Sequence, residues 1–217
     1  MPVMESLPAA TLDLARRLGT ATIHEASGLP MSAVDPAIRP VWSGVAVAGP
    51  AFTVECAPGD NLAIHLAMEE VPRGSILVVA TGGFIAGYWG EVLTVAAEAA
   101  GIVGLVIDGG VRDSEALARR GFPVFARGIS VRGTRKVCAP SVGQPISLVG
   151  TPVASGDLVV ADGDGVVVIP AEKVEETLAR GQARADKEAI FMRQLMEGHT
   201  TLELLGLSIP KEHPHVD

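Results

Sequence analysis

The chain has 217 residues, is 48% hydrophobic but only 4% aromatic, and carries a formal net charge of -8. The apolar share is enough for a substantial core, whereas scarce aromatics and the lack of any Lys/Arg run argue against a base-stacking or polyanion-binding surface. Cys56 and Cys138 are isolated, with no CxxC or disulfide framework, and no apolar run approaches the ~18 residues of a membrane span. A soluble, cytoplasmic, globular protein is expected, with neither nucleic acid nor membrane as partner.

Leu12, Leu14 and Leu18 give Pro8 to Leu18 a helical spacing, with Gly19 as the stop. Thr22-Ile23-His24-Glu25 fits a capping box, Thr at the cap and Glu three later, for a short second helix ending near Gly28. Residues Gly28 to Gly44 read as Pro-rich loop. Val45 to Cys56 is an extended run that Gly49-Pro50 should bend or split in two. Pro58-Gly59-Asp60-Asn61 is a turn, and Asp60 is placed to cap a helix from Leu62 to Glu70.

Strand and helix then alternate. Ser75 to Ala80 is a buried strand, Thr81 to Trp89 a glycine-rich loop, and Gly90 to Ala100 a helix. Val103 to Ile107 is a second buried strand, Asp108 to Val111 a loop, and Asp113 to Arg120 a helix. Continuous apolar strands separated by helices predict parallel pairing with both faces covered. Beyond Gly121, short Val/Ile-rich runs at Pro123–Phe125, Ile146–Val149, Leu158–Ala161 and Val166–Ile169 predict antiparallel or mixed sheet. Asp162-Gly163-Asp164-Gly165 is a hairpin turn signal; the later acidic ligands of a calcium loop are missing. Pro170 opens a long polar helix, Ala171 to about Glu197, followed by a short amphipathic segment from Leu202 to Leu207. With no linker or repeat, residues 1–217 read as a single domain with a projecting C-terminal helix.

No HExxH, GxSxG, P-loop or dinucleotide fingerprint is present. The chemistry falls instead on Glu91 and the adjacent pair Arg112-Asp113, at the ends of two successive loops of one βαβ unit. Such loops converge at the carboxyl ends of parallel strands, where open α/β sheets bind ligands. A hard cation needs oxygen ligands and a keto acid needs an arginine fork. Each residue also has an ordinary use. Asp113 could be a plain N-cap, Glu91 a first-turn acid favoured by the helix dipole, and Glu25 a member of the capping box. His24 and His65 read as lone packed or surface histidines.

Several segments together carry a resemblance: Pro58-Gly59-Asp60-Asn61, Gly90-Glu91-Val92-Leu93, Val106-Ile107-Asp108-Gly109-Gly110-Val111-Arg112-Asp113, Arg119 to Phe125, and Gly156 to Val166. From about Leu12 to Glu188 the chain resembles the RraA-like superfamily. Within it the chain is most similar to the divalent-metal pyruvate aldolases acting on 4-hydroxy-4-methyl-2-oxoglutarate or 4-carboxy-4-hydroxy-2-oxoadipate in aromatic catabolism. The resemblance implies an α/β fold, a β/β/α-type layered sandwich with a parallel βαβ core and a C-terminal helix. It further implies homotrimers or homohexamers with active sites between subunits, the helix of residues 171–197 reaching a neighbour. Mg²⁺ or Mn²⁺ would be held by Asp113, the keto acid by Arg112, and its carboxylate by the backbone of Gly90, Glu91, Val92 and Leu93. Glu91 stands where the family usually has Asp and would orient a metal-held water; Glu188 would reach the metal waters of a neighbouring subunit. Glu25, Asn61 and Lys136 fall at positions that approach the substrate.

The expected activity is that of a class II pyruvate aldolase, a carbon–carbon lyase. It cleaves 4-hydroxy-2-oxo acids to pyruvate and a second keto acid, with oxaloacetate decarboxylation as a side activity or as the main one, since both proceed through the same enolate. No lysine lies in the βαβ loops, which disfavours a Schiff base, and no histidine base is obvious. The rival reading is a non-catalytic regulator of RNase E, a branch that lacks the Asp of the Arg-Asp pair.

Overall fold

A computed structural model describes residues 7–208 of the chain. In chain order its elements are α1 (Ala9–Ser27), β1 (Arg39–Pro40), β2 (Val47–Glu55), α2 (Leu62–Glu70), β3 (Ile76–Ala80), β4 (Gly87–Trp89), α3 (Glu91–Ala100), β5 (Gly104–Val111) and α4 (Ser114–Arg120). They continue with β6 (Val124–Ile129), β7 (Ser141–Val142), β8 (Ile146–Leu148), β9 (Thr151–Val153), β10 (Leu158–Ala161), β11 (Val166–Ile169), α5 (Val174–Met196) and α6 (Thr201–Leu205).

The main sheet runs β1-β6-β5-β3-β2-β10-β11, with β4 added to β5 and β7 to β2. Its centre, β2-β3-β5-β6, is parallel, and its outer pairs are antiparallel. This is the mixed α/β fold expected, with a parallel βαβ core. Every residue of β3 and β5 is buried, as required of strands covered on both faces. The α2–α3–α4 side packs around Phe52, Tyr88, Trp89, Leu105 and Leu117, and Trp89 stacks on Phe122 with ring centroids 6.1 Å apart. On another face, Ala15, Ile23, Leu158, Val167 and Leu178 join α1 and α5 to the β10–β11 hairpin.

Several local expectations are corrected. Gly49-Pro50 does not split β2. The strand is continuous, pairing antiparallel with β10 over Val47–Pro50 and parallel with β3 over Ala51–Glu55. The helix Pro8 to Leu18 does not stop at Gly19. That residue is non-helical (φ 75°, ψ 166°), but the chain re-enters the helix at once and runs to Ser27, with Gly28 left-handed at the C-cap. The Thr22 capping box does not form, because the break lies earlier and another group caps it. Asp162 accepts from the Thr20 N–H (2.8 Å) and from its hydroxyl (2.7 Å). Asp162 thereby joins the hairpin turn to a distant helix start.

The predicted loop Asp108 to Val111 is strand, since β5 runs on to Val111 and carries β4 beside it. Gly110 permits this, as a Cβ there would come within 2.6 Å of the Ala86 carbonyl oxygen. The long C-terminal helix begins with a 3-10 turn at Ala171–Lys173 and then runs as α5 to Met196. Among the described residues no helix is long and apolar enough to cross a membrane.

Candidate active site

The cleft lies at the carboxyl ends of β4 and β5. Asp60 fixes one wall. Its carboxylate accepts from the first amide of α2, Leu62 N–H (3.0 Å), although the N-cap position itself is Asn61, and also from Val137 (2.8 Å) and Cys138 (3.2 Å). The helix start and the 133–138 loop are thus held by one side chain. Burial pushes the Asp60 carboxyl up, but the three amide donors and nearby Arg135 outweigh it and hold the group below the usual carboxylate range. Asn61 adds two further ties, its N–H donating to the Arg135 carbonyl and its side-chain amide to the Tyr88 carbonyl (2.9 Å). The Tyr88 hydroxyl in turn accepts from Gly59 N–H (2.6 Å).

Another wall is built on Arg112 and Asp113. The Arg112 amide donates to the Trp89 carbonyl (2.8 Å), which pins the strand end to β4. Asp113 follows in a left-handed conformation (φ 59°, ψ 33°), one of two non-glycine residues with positive φ among those described. That rare geometry aims its carboxylate back at α3, where Oδ2 accepts from Glu91 N–H (3.0 Å) and lies 3.8 Å from Arg112 Nε. Asp113 thus begins α4, yet its side chain makes no cap bond to that helix, so its ordinary reading as an N-cap fails. Gly90 makes the arrangement possible. A Cβ at this position would collide with the Asp113 carboxylate and sit 3.0 Å from Arg112 Cγ.

A cleft of about 250 Å³ opens between these walls, lined by Asn61, His65, Gly87 to Gly90, Val92, Leu93, Arg112, Gly133, Thr134 and Lys136. It brings together six of the residues singled out from sequence: Gly90, Val92, Leu93, Arg112, Asn61 and Lys136. The first-turn amides of α3 have no acceptor within their own helix, so they suit a carboxylate. The volume lies below the roughly 300–1,000 Å³ of drug-sized sites, which favours a small acid. Arg112 also borders a shallower hollow shared with Glu91, Asp113 and Glu115.

Three singled-out acids behave differently. The Glu91 carboxylate is engaged by Arg120 (3.1 Å), which also holds Glu98 (3.0 Å). Glu25 and Glu188 line neither space. Both pair with Arg184, Glu188 at 2.8 Å, where α1 meets α5. Sequence reasoning missed His65 as a cleft residue. It lies on α2 four positions after Asn61, the N-cap of that helix, and that spacing was the available signal.

Among the described residues no group of three or more His, Cys, Asp or Glu could hold a metal. The donor set therefore does not fit a cation that needs several protein ligands. It does fit a hard cation that keeps most of its water and takes one carboxylate, as Mg²⁺ does. Asp113 is half exposed, with one carboxylate oxygen bonded to an amide and the other without a hydrogen bond.

A parallel βαβ core flanked by antiparallel strands, with a small cleft at its strand ends, defines a mixed α/β protein. The RraA-like family model (Aldolase/RraA) matches residues 20–168, and the chain belongs to this family. A protein of Halalkalibacterium halodurans named "Putative 4-hydroxy-4-methyl-2-oxoglutarate aldolase" is 39% identical over 154 residues, covering 70% of this chain and 73% of that protein. A crystal structure of an uncharacterized protein from Pseudomonas syringae pv. tomato superposes with a TM-score of 0.85 at 30% identity, covering 94% and 96% of the two chains. Streptomyces coelicolor RraAS2, described as an unusual member of the RNase ES inhibitor RraA family, superposes with a TM-score of 0.77 at 26% identity, covering 86% and 98%.

Proposed function

We propose that the protein is a divalent-metal-dependent pyruvate aldolase that cleaves 4-hydroxy-4-methyl-2-oxoglutarate or 4-carboxy-4-hydroxy-2-oxoadipate to pyruvate and a second keto acid. The carrying observation is the Gly90–Arg112–Asp113 contact, in which a missing side chain lets the Arg112 guanidinium, which lines the cleft, lie 3.8 Å from the Asp113 carboxylate, which borders the adjoining hollow that Arg112 shares. The similarity to a protein named as an aldolase supports the same reading.

In this reading Arg112 takes the carboxylate and 2-keto oxygen of the substrate through its planar fork, and strengthens its hold as charge develops on the keto oxygen. The amides of Val92 and Leu93 add donors for the carboxylate. Asp113 holds the cation, Mg²⁺ or Mn²⁺, which when bound supplies the positive charge that favours an enolate. Asn61 and Lys136 meet the distal half of the substrate. Glu91 orients water at the Asp113 side once it leaves Arg120; that pair is half exposed, and such pairs are worth only about 0–1 kcal/mol.

Glu25 and Glu188 enter from another subunit in a homotrimer or homohexamer, because within one chain they face Arg184 rather than the cleft. The same Arg112–Asp113 wall would favour the enolate left when oxaloacetate loses CO₂, so decarboxylation is a side activity.

Purified protein should release pyruvate from 4-substituted 4-hydroxy-2-oxo acids with Mg²⁺ or Mn²⁺ and stop on chelation. If no acid in such a panel yields pyruvate under either metal, the enzyme reading fails and a regulator of RNase E becomes the better account.

A further inference from the structure

Among the described residues three buried side-chain atoms have no hydrogen-bond partner: Asn61 Oδ1, His65 Nε2 and Ser75 Oγ. Buried polar atoms are nearly always paired, so each orphan needs a reason. Two of the three belong to residues that line the same cleft. Asn61 is the N-cap residue of α2 and His65 lies four positions later in its first turns, a spacing that brings them to the same side of the helix start.

Their chemistry is partly fixed. Asn61 donates through Nδ2 to the Tyr88 carbonyl, which leaves Oδ1 as a pure acceptor. Burial, reinforced by the positive charge of Lys136, pushes the His65 pKa down, so the ring is neutral near pH 7. A neutral imidazole can present an N–H at Nε2. An unpaired acceptor and an unpaired donor on residues of the same cleft wall are what a hydroxyl group needs, since it both gives and takes a hydrogen bond. Carboxylates, which only accept, are served elsewhere in the cleft by Arg112, Lys136 and the α3 amides.

We infer that His65 is a specificity-determining residue, and that with Asn61 Oδ1 it reads a hydroxyl on the distal half of the bound acid. This rests on the aldolase reading for the identity of that acid, whose hydroxyl is on carbon 4. A site that hydrogen-bonds a hydroxyl discriminates strongly against the analogue lacking it, because the buried partners are then left unpaired.

The test compares two non-cleavable acids, 2,4-dihydroxyglutarate and 2-hydroxyglutarate, which differ only in the hydroxyl on carbon 4. Calorimetry with the Mg²⁺-loaded full chain should show the dihydroxy acid binding about tenfold more tightly, the size expected of one such hydrogen bond. His65→Leu should erase that preference while leaving affinity for 2-hydroxyglutarate within twofold. His65→Gln, which keeps a polar group at the Nε2 position, should recover most of it. A wild-type protein without preference, or a Leu variant that keeps it, overturns the assignment. So does a Leu variant that loses both ligands equally, since that marks a merely structural histidine. Turnover is measured beside it. A hydroxyl preference in a protein that cleaves no 4-hydroxy-2-oxo acid would sink the aldolase reading and leave this one standing.

Discussion

The cleft wall around Arg112 and the α1–α5 helix seam both present charged groups, but they are built in opposite ways. At the cleft, charge is placed by close backbone approach. Gly90 admits Asp113, Gly110 admits Ala86, and Trp89 fixes the Arg112 amide. At the seam, Glu25 and Glu188 are held by one half-exposed arginine, Arg184, and the close approach there, Gly181 against Leu18, is apolar and is not made to either acid. Groups locked by packing suit chemistry that depends on position, because a misplacement of 1 Å can cost about 10² in rate. Groups on a surface ion pair can be released at little cost and handed to another chain.

The largest difference between the two should appear on mutating the locked wall. Arg112→Lys keeps the charge but loses the planar fork. Pyruvate release is expected to fall roughly 10²–10³-fold, the size of one lost transition-state donor. A drop below about threefold, for Lys and for Ala alike, would remove Arg112 from the role. Gly90→Ala comes next. The added methyl would push Asp113 and Arg112 apart, so activity should fall by about 10² while thermal unfolding shifts little. Near-normal turnover in that variant would mean the close approach is unimportant.

The seam makes a different prediction. Asp113→Asn and Glu188→Ala proteins should each be inactive, yet regain part of the activity when mixed under conditions of subunit exchange. The rescue is expected because some sites would then carry both wild-type groups. An active monomer in sedimentation, or a Glu188→Ala enzyme with unchanged kinetics, would confine the seam to one chain. The smallest effect concerns pH. The Asp60 carboxyl is held low in the fold, so its tie to the 133–138 loop is complete above the unfolded value near 4 and is lost as pH falls through the folded one. Amide resonances of Val137 and Cys138 should stay constant near neutrality and move only below about pH 4. Movement between pH 6 and 5 would assign the tie to another group.

What sequence could and could not show follows the same division. Local signals were enough where one segment decides its own form: Leu62–Glu70 is a helix between the expected residues, and Asp162–Gly165 turns a hairpin. They failed where a distant residue decides. Gly19 looked like a stop, but Asp162, far along the chain, caps the helix that resumes after it. Asp108-Gly109-Gly110 looked like a loop because glycines and an acid usually make one. Here the glycines clear room for Ala86 and Tyr88 to pack against β5, which β4 joins in parallel. Arg112, Asp113 and Gly90 could be singled out in advance, although the left-handed backbone of Asp113 could not. His65 passed as an ordinary histidine because its significance lies in an unpaired atom, visible only once the cleft is formed.

Mn²⁺ binding followed by electron paramagnetic resonance, run beside a pyruvate-release assay on wild-type and Asp113→Asn protein, tests the central claim most directly. If Asp113 is the one carboxylate that holds the cation, wild-type protein binds Mn²⁺ and releases pyruvate from a 4-hydroxy-2-oxo acid. The folded Asn variant then does neither. A variant that still binds the ion and turns over at near-wild-type rate would contradict the assignment of the metal to this site.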